Sequence, residues 1–409
     1  MRLFRLLIVL SGIFIISVNA QNKLTIDDAI DLAIKNNLEL HKQKALLNRV
    51  ELRLDETRLL PNPVFSYSRE DLKDNPFNYG EWIASGSIPI NFLWSRWSNI
   101  ESKKNMLEAQ KLFYDHNKMN IVAEVQEVYL SFNNYSFLSE NLKSSLSKLS
   151  NLAEASKHKV TEGDISEYEL QRILIEINRL RSTVSELELR KKNYESRLRL
   201  LIGYDRTKEI TTESLNIKSH FHFSKDELIT QALKNRKDLS AASLLIESEN
   251  LFLSHNKIKA IPEINLTAGY KEQTDNMKGT IFQISFEVPL FNRNQIAIEQ
   301  SEIELNLLER EKTFLIEKIK SDVSEALEKL TMVQNLHKSQ DELQFMNIFN
   351  SAIYSYEQGE ISLVELIDGI NAYIDGVVLA KKLETDFYQS VFELEKLVSI
   401  SLTNYKEKR

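Results

Sequence analysis

Tyr356-Glu357-Gln358-Gly359-Glu360-Ile361-Ser362-Leu363-Val364-Glu365-Leu366 decides how this chain folds, because its pattern stands earlier as Val160-Thr161-Glu162-Gly163-Asp164-Ile165-Ser166-Glu167-Tyr168-Glu169-Leu170. In both copies a glycine able to take positive φ ends one helix, and an acidic residue, Ile and Ser follow that can restart another. Long runs without Gly or Pro lead into each turn, so each marks the tip of a long helical hairpin.

Working outward from the earlier copy, residues 92–160 hold no Gly or Pro, and Ile121, Val125, Val128 and Leu130 recur at helical spacing. This predicts a long helix over 92–160, a tip at 161–166 and a helix over 164–202 that Gly203 closes. Upstream, Thr25, Asp27 and Asp28 open a helix over 24–59 that carries Ala29, Ile30, Ala33 and Ile34. Pro61-Asn62-Pro63 stops it, and the period changes to two. Strands are predicted over 63–70, where Phe65 and Tyr67 alternate with Ser66 and Ser68, and over 81–89. Residues 71–80 read as a polar loop between them.

The second half repeats the first at an offset of about 199. Ser224-Lys225-Asp226-Glu227-Leu228-Ile229 answers Thr25-Ile26-Asp27-Asp28-Ala29-Ile30, Ala260-Ile261-Pro262 answers Leu59-Leu60-Pro61, and Val288-Pro289-Leu290 answers Ile88-Pro89-Ile90. The first repeat therefore covers 21–203 and the second 224–409, with a polar connector at 204–223. Within the second repeat we expect a helix over 224–259, strands over 263–271 and 279–289, a long helix over 292–357, a tip at 358–362 and a helix over 361–402. At 1.5 Å per residue each long helix spans about 100 Å, and the two shorter helices of a repeat, stacked end to end, match it. The connector then lies at mid-height.

The strands show which end meets a membrane. Ile264, Leu266, Ala268 and Tyr270 alternate with Asn265, Thr267, Gly269 and Lys271, and Phe282, Ile284, Phe286 and Val288 with Gln283, Ser285 and Glu287. One apolar and aromatic face and one polar face suit a transmembrane β-barrel. Four strands cannot wall an aqueous channel, since about eight close even a filled barrel, so several chains must contribute and three would supply twelve strands. The expected class is mainly α, with long helical hairpins and a membrane β-barrel portion to which each chain gives four strands, built on a two-fold internal repeat. The competing structure is a pair of soluble hairpins packed on the helices.

Composition agrees with export. Arg2 and Arg5 precede the apolar run Leu6 to Val18, and Val18-Asn19-Ala20 offers a cleavage site, so residues 1–20 read as a signal peptide; a retained anchor is the alternative. The 409 residues include no Cys, 6 Pro and 10 Gly, which removes disulfides, thiolate metal sites and a cysteine lipid anchor. A net charge of −7 opposes nucleic acid as a partner. Neither G-x-S-x-G, H-E-x-x-H nor a phosphate-cradling glycine loop is present, so no enzyme and no cofactor is indicated. His220 and His222 are weak metal candidates in the connector, with no further ligands near them in sequence.

With these landmarks in place, the mature chain resembles the TolC family of outer-membrane efflux ducts. The resemblance rests on the repeated acidic opening helix, the Leu60-Pro61-Asn62-Pro63 and Ile261-Pro262 strand entries, the Ile88-Pro89 and Val288-Pro289 exits, the two Gly-x-Ile-Ser tips and the Leu200-Leu201-Ile202-Gly203 ending. Pro61-Asn62-Pro63 followed by Arg69-Glu70-Asp71-Leu72 is similar to the CzcC- and CusC-like heavy-metal branch, although the lipid-bearing cysteine of the CusC type is missing. The resemblance implies a homotrimer in outer-membrane lipid, with helical hairpins forming a periplasmic α-barrel below a trimeric twelve-stranded β-barrel, docked by its tips onto a periplasmic adaptor (membrane fusion protein) and an inner-membrane pump of RND type. Its cargo would be heavy-metal cations or drugs.

Gly163, Asp164, Ile165, Ser166, Gly359, Glu360, Ile361 and Ser362 are the expected docking residues. Glu365 and Asp368, three apart on one helix face, with Glu169 in the earlier copy, would form carboxylate rings in a trimer. The resemblance places such acids at the periplasmic entrance with Tyr356 beside them; ordinary solvated helix charges are the plainer reading. Ile361 stands where the best-known relatives carry an arginine, so their salt-bridge lock does not carry over. A soluble periplasmic coiled-coil scaffold or adaptor is the rival function, and it leaves the paired amphipathic strands unexplained.

Overall fold

A computed structural model describes residues 23–74, 76–203, 210–215, 222–337 and 342–402. The expected signal peptide lies outside the described residues. The chain opens with α1 (Ile26–Asn36), where Thr25 and Asp28 close a capping box, and α2 (Leu38–Arg58) follows. The single helix expected over 24–59 is thus divided at Asn37, whose backbone is extended. The reason is local hydrogen bonding. Asn37 Oδ1 accepts from the Glu39 N–H at 2.9 Å and starts α2, while the Asn36 and Asn37 amides donate to the Ile202 and Leu201 carbonyls at 3.0 and 3.3 Å. One dipeptide ends a helix, begins another and satisfies the end of a third.

That third helix is α4 (Glu167–Ile202), reached through α3 (Phe92–Glu162), a 71-residue helix about 107 Å long. Gly203 closes α4 in the left-handed region. The second repeat follows the same plan with α5 (Lys225–Asn235) and α6 (Lys237–Ile258), divided at Arg236 rather than continuous over 224–259. It continues with α7 (Gln295–His337), α8 (Glu342–Glu357) and α9 (Leu363–Val398). The continuity expected across 292–357 falls at 338–341, outside the described residues.

Four antiparallel strands, β1 (Val64–Asp74), β2 (Phe77–Pro89), β3 (Ile264–Gln273) and β4 (Lys278–Phe286), form one sheet in the order β1-β2-β3-β4. The segment 71–80, expected as a loop, instead prolongs the first hairpin, with Asp71 opposite Gly80 and Asp74 opposite Phe77. The residues there are mostly polar, so no apolar alternation marks them as strand. β4 stops at Phe286, short of the expected 289, because Leu290 N–H turns back to the Val288 carbonyl around Pro289.

Near the sheet, α2 packs on α3, α3 on α6 and α6 on α7, the order of the strands they join. The α3–α6 seam uses buried residues at sevenfold spacing, the small Ser95, Ser102 and Ala109 against the small Ala241 and Ser248 and the larger His255. Ser248 Oγ donates to the Ser102 carbonyl at 2.8 Å. At mid-height, Ala29, Val125, Tyr129, Leu198 and Ile202 form a core that ties the described part of the connector to the helices. Tyr129 Oη lies 2.7 Å from the Leu24 carbonyl and accepts from the Glu213 N–H at 3.0 Å. Burial pushes the phenol up to about 12.

Toward the tips, Leu142, Leu149, Ile173 and Leu180 of the first hairpin meet Leu366, Ile370 and Tyr373 of the second. Gly376 of α9 lies beneath the Phe345 ring of α8, leaving no room for a Cβ. Gly369, one heptad away, faces Ala352.

Candidate channel surfaces and hairpin tips

Register gives the sheet two chemically distinct faces, since directly opposed residues of antiparallel strands share a side. Phe65, Gly86, Ala268 and Phe282 form one row; Tyr67, Ala84, Tyr270 and Thr280 form the next on the same face. Phe65 and Phe282 are 82% and 81% exposed, so this apolar face is uncovered in the single chain. Tyr67, Trp82 and Tyr270 cluster at the far edge of the band, with ring centroids 6.2 and 5.6 Å apart. Arg69 and Asp71 lie beyond and pair with each other. The opposite face carries Ser66, Ser85, Thr267 and Gln283, and then an ion pair between Lys271 and Glu81. β1 and β4 are each paired along one edge only.

At the other end of the molecule both tips use one device. Gly163 and Gly359 have φ of 86° and 74°, and nothing stands within 4 Å of a Cβ at either, so the demand for glycine is conformational and not spatial. Asp164 N–H reaches the Lys159 carbonyl at 2.9 Å and Glu360 N–H the Ser355 carbonyl at 2.8 Å, the i to i−5 bond of a Schellman turn. Gly163, Asp164, Ser166, Gly359, Glu360 and Ser362 are exposed, while Ile165 and Ile361 are half-buried and Ile361 packs on the lower core.

The next turn shows what the sequence reading missed. Glu169 and Glu365 each fold back onto the helix start: Ser166 N–H donates to Glu169 at 3.2 Å, and Ser362 N–H to Glu365 at 2.7 Å. These carboxylates complete capping boxes, and the Ser-x-x-Glu spacing was the available signal. The Ser362 backbone N–H, aided by its hydroxyl, holds the Glu365 carboxyl below its ordinary range. Asp368 is exposed one turn further along α9.

Tyr356 joins the two tips electrostatically. Burial raises its phenol, and the charge of Glu169 from the other hairpin raises it further. Its Oη has no hydrogen-bond partner among the described residues. The structure therefore brings Glu169 toward Tyr356, and sets Glu365 and Asp368 on the exposed side of α9. His220 lies outside the described residues and His222 is exposed. No group of three or more metal-ligating side chains converges among the described residues.

No family model matches the chain. In sequence it is similar to the cobalt-zinc-cadmium resistance protein CzcC of Cupriavidus metallidurans, 21% identical over 362 residues that span 85% of this chain and 84% of CzcC. In fold it is similar to CusC, with a TM-score of 0.75 and 16% identity over 92% of both chains. The CmeC outer membrane channel of Campylobacter jejuni gives 0.74 and 14% identity over 94% of this chain and 87% of CmeC. The likeness read from the residues is thus borne out: in fold the chain is of the TolC type, and its sequence sides with CzcC.

Proposed function

We propose that this protein is the outer-membrane channel of an efflux system, a passive duct whose helices stand in the periplasm and whose sheet lies in the membrane. One observation carries the reading: a four-stranded sheet with an exposed aromatic face, a polar reverse face and two open edges. Lipid can cover the first, water the second, and only other strands the third.

The helices extend the same logic. α2 and α7 end the helical row, and α7 exposes Ile296, Ile303, Leu307 and Phe314 at heptad-like spacing, while α2 exposes Leu38, Leu46 and Leu52. A second copy that seats its β1 on β4 brings its α2 to this α7, and three copies supply twelve strands. The similarity to a cobalt-zinc-cadmium resistance protein supports divalent heavy-metal cations as cargo. The tips then dock on a periplasmic adaptor fed by an inner-membrane pump of RND type. Glu365, Asp368 and Glu169 form the cation-facing rings at the entrance, with Tyr356 behind them.

Purified protein in planar bilayers tests the duct directly. We expect a heat-modifiable trimer that conducts ions; a lone subunit without conductance would overturn the reading.

A further inference from the structure

A histidine stands at each end of the seam that joins the two repeats, His255 buried and His116 half-buried. Ser95, Ser102, Ala109 and His116 recur every seventh residue along α3, facing α6 in reverse order. At the upper end His255, 6% exposed, bonds through Nδ1 to the Ser95 carbonyl at 2.8 Å. A carbonyl only accepts, so Nδ1 holds the proton and Nε2 is where a second would go. The charged groups acting on this ring, Lys259 at the C-terminal cap of α6 and Lys103 of α3, are both positive. On the α7 side, the neighbouring Asn256 binds the uncharged Ser301.

At the lower end His116 Nδ1 is 3.9 Å from Asp238 Oδ1. That carboxylate is already engaged: Arg236 donates to both its oxygens, at 3.0 and 2.5 Å, and the Leu239 N–H adds a third bond. Asp238 favours a positive charge on His116, while burial first, and then Arg236 itself and Lys396 of α9, oppose it. Asp115, Lys118 and Lys237, with Asp27 of α1 and Glu395 of α9, line the adjoining cleft of about 510 Å³.

We propose that the α3–α6 seam is an acid-sensitive joint, released when His255 and His116 take up protons at its two ends. Burial is the leading cause that lowers both imidazoles below their ordinary value of 6.5. The sign follows: the closed seam binds fewer protons than the open one, so closure is fully stable above the ordinary value and weakens as pH falls below it, through the lowered values. The halves then part above mid-height while the tip hairpins, whose core cluster holds no histidine, stay closed.

Hydrogen exchange on the full mature protein in detergent at pH 7.5 and 5.0, corrected for intrinsic rates, tests this. Segments 95–116 and 238–255 should lose protection at pH 5.0, by about tenfold in the opening constant for each unit by which burial lowers each histidine. Segments 170–180 and 366–377 should not. His116→Asn with His255→Asn, where the new amide can still donate to Ser95, should abolish the pH dependence. Equal seam protection at both pH values, or the same acid loss in the double variant, overturns the proposal. Should the double variant not fold, the wild-type comparison of seam with tips decides.

Discussion

Ser362 and Glu365 bind each other reciprocally across the first turn of α9: the Ser362 N–H reaches Glu365 Oε2 at 2.7 Å, and Ser362 Oγ accepts from the Glu365 N–H at 3.4 Å. A carboxylate proposed to face the pore therefore also starts the helix that presents it. Ser362→Ala is expected to cost about 1 kcal/mol of local stability. Exchange of the amides of the first turn of α9 checks this; unchanged protection would show that the cap is idle.

Charge and cap are separable by choice of residue. Asp368 is exposed and belongs to no cap, so Asp368→Asn alone should alter cation block or single-channel conductance while the tip stays folded. Glu365→Gln can still accept the Ser362 N–H and should add to the effect. Identical currents in the double variant and the wild type would reject the rings.

Docking by the tips is tested at the glycines. Gly163→Leu and Gly359→Leu force a branched side chain into positive φ and onto an open surface. We expect loss of crosslinking to the adaptor with trimers intact; persistent crosslinking would move docking elsewhere.

Gly376→Ala must displace Phe345 and is expected to cost about 1–3 kcal/mol. Gly279→Ala, with open space around it, is the control. Thermal unfolding in detergent compares the two, and equal midpoints would mean that α8 yields freely.

Tyr129 sets an alkaline limit. Its phenol is raised from 10.0 to about 12 by burial, so the folded state keeps a proton that the unfolded state releases first. Stability from this group is complete below pH 10 and declines from there toward pH 12. Tyr129→Phe should remove that decline and, by taking away the hydroxyl's bonds while the Glu213 N–H keeps its 3.3 Å bond to the Leu24 carbonyl, cost about 0.5–1.5 kcal/mol at neutral pH. Titrated unfolding of both proteins measures each part.

Much of this architecture was legible because glycine, proline and period are strong signals when they coincide. Gly163 and Gly359 named the tips, and Pro61 and Pro289 bounded the strands. Asn37 and Arg236 were missed because neither is a helix breaker: the breaks go with side-chain bonds, from Asn37 to the distant Leu201 carbonyl and from Arg236 to Asp238 two residues on. Glu169 and Glu365 were found as charges but not as caps. A formal charge is visible in any alphabet, whereas the serine three residues earlier matters only once the helix start is placed. The Ser102–Ser248 contact joins residues 146 positions apart and had no local signature beyond a sevenfold spacing of small residues.

The unpaired outer edges of β1 and β4 bear on how the molecule comes to be. Hydrocarbon offers no donors or acceptors, and each bare amide or carbonyl left in it costs several kcal/mol. Under the proposed membrane placement of the sheet, a solitary newcomer is thus stranded at the threshold of the bilayer, and entry becomes a joint act: the proposed ring is knit before, or while, it sinks in.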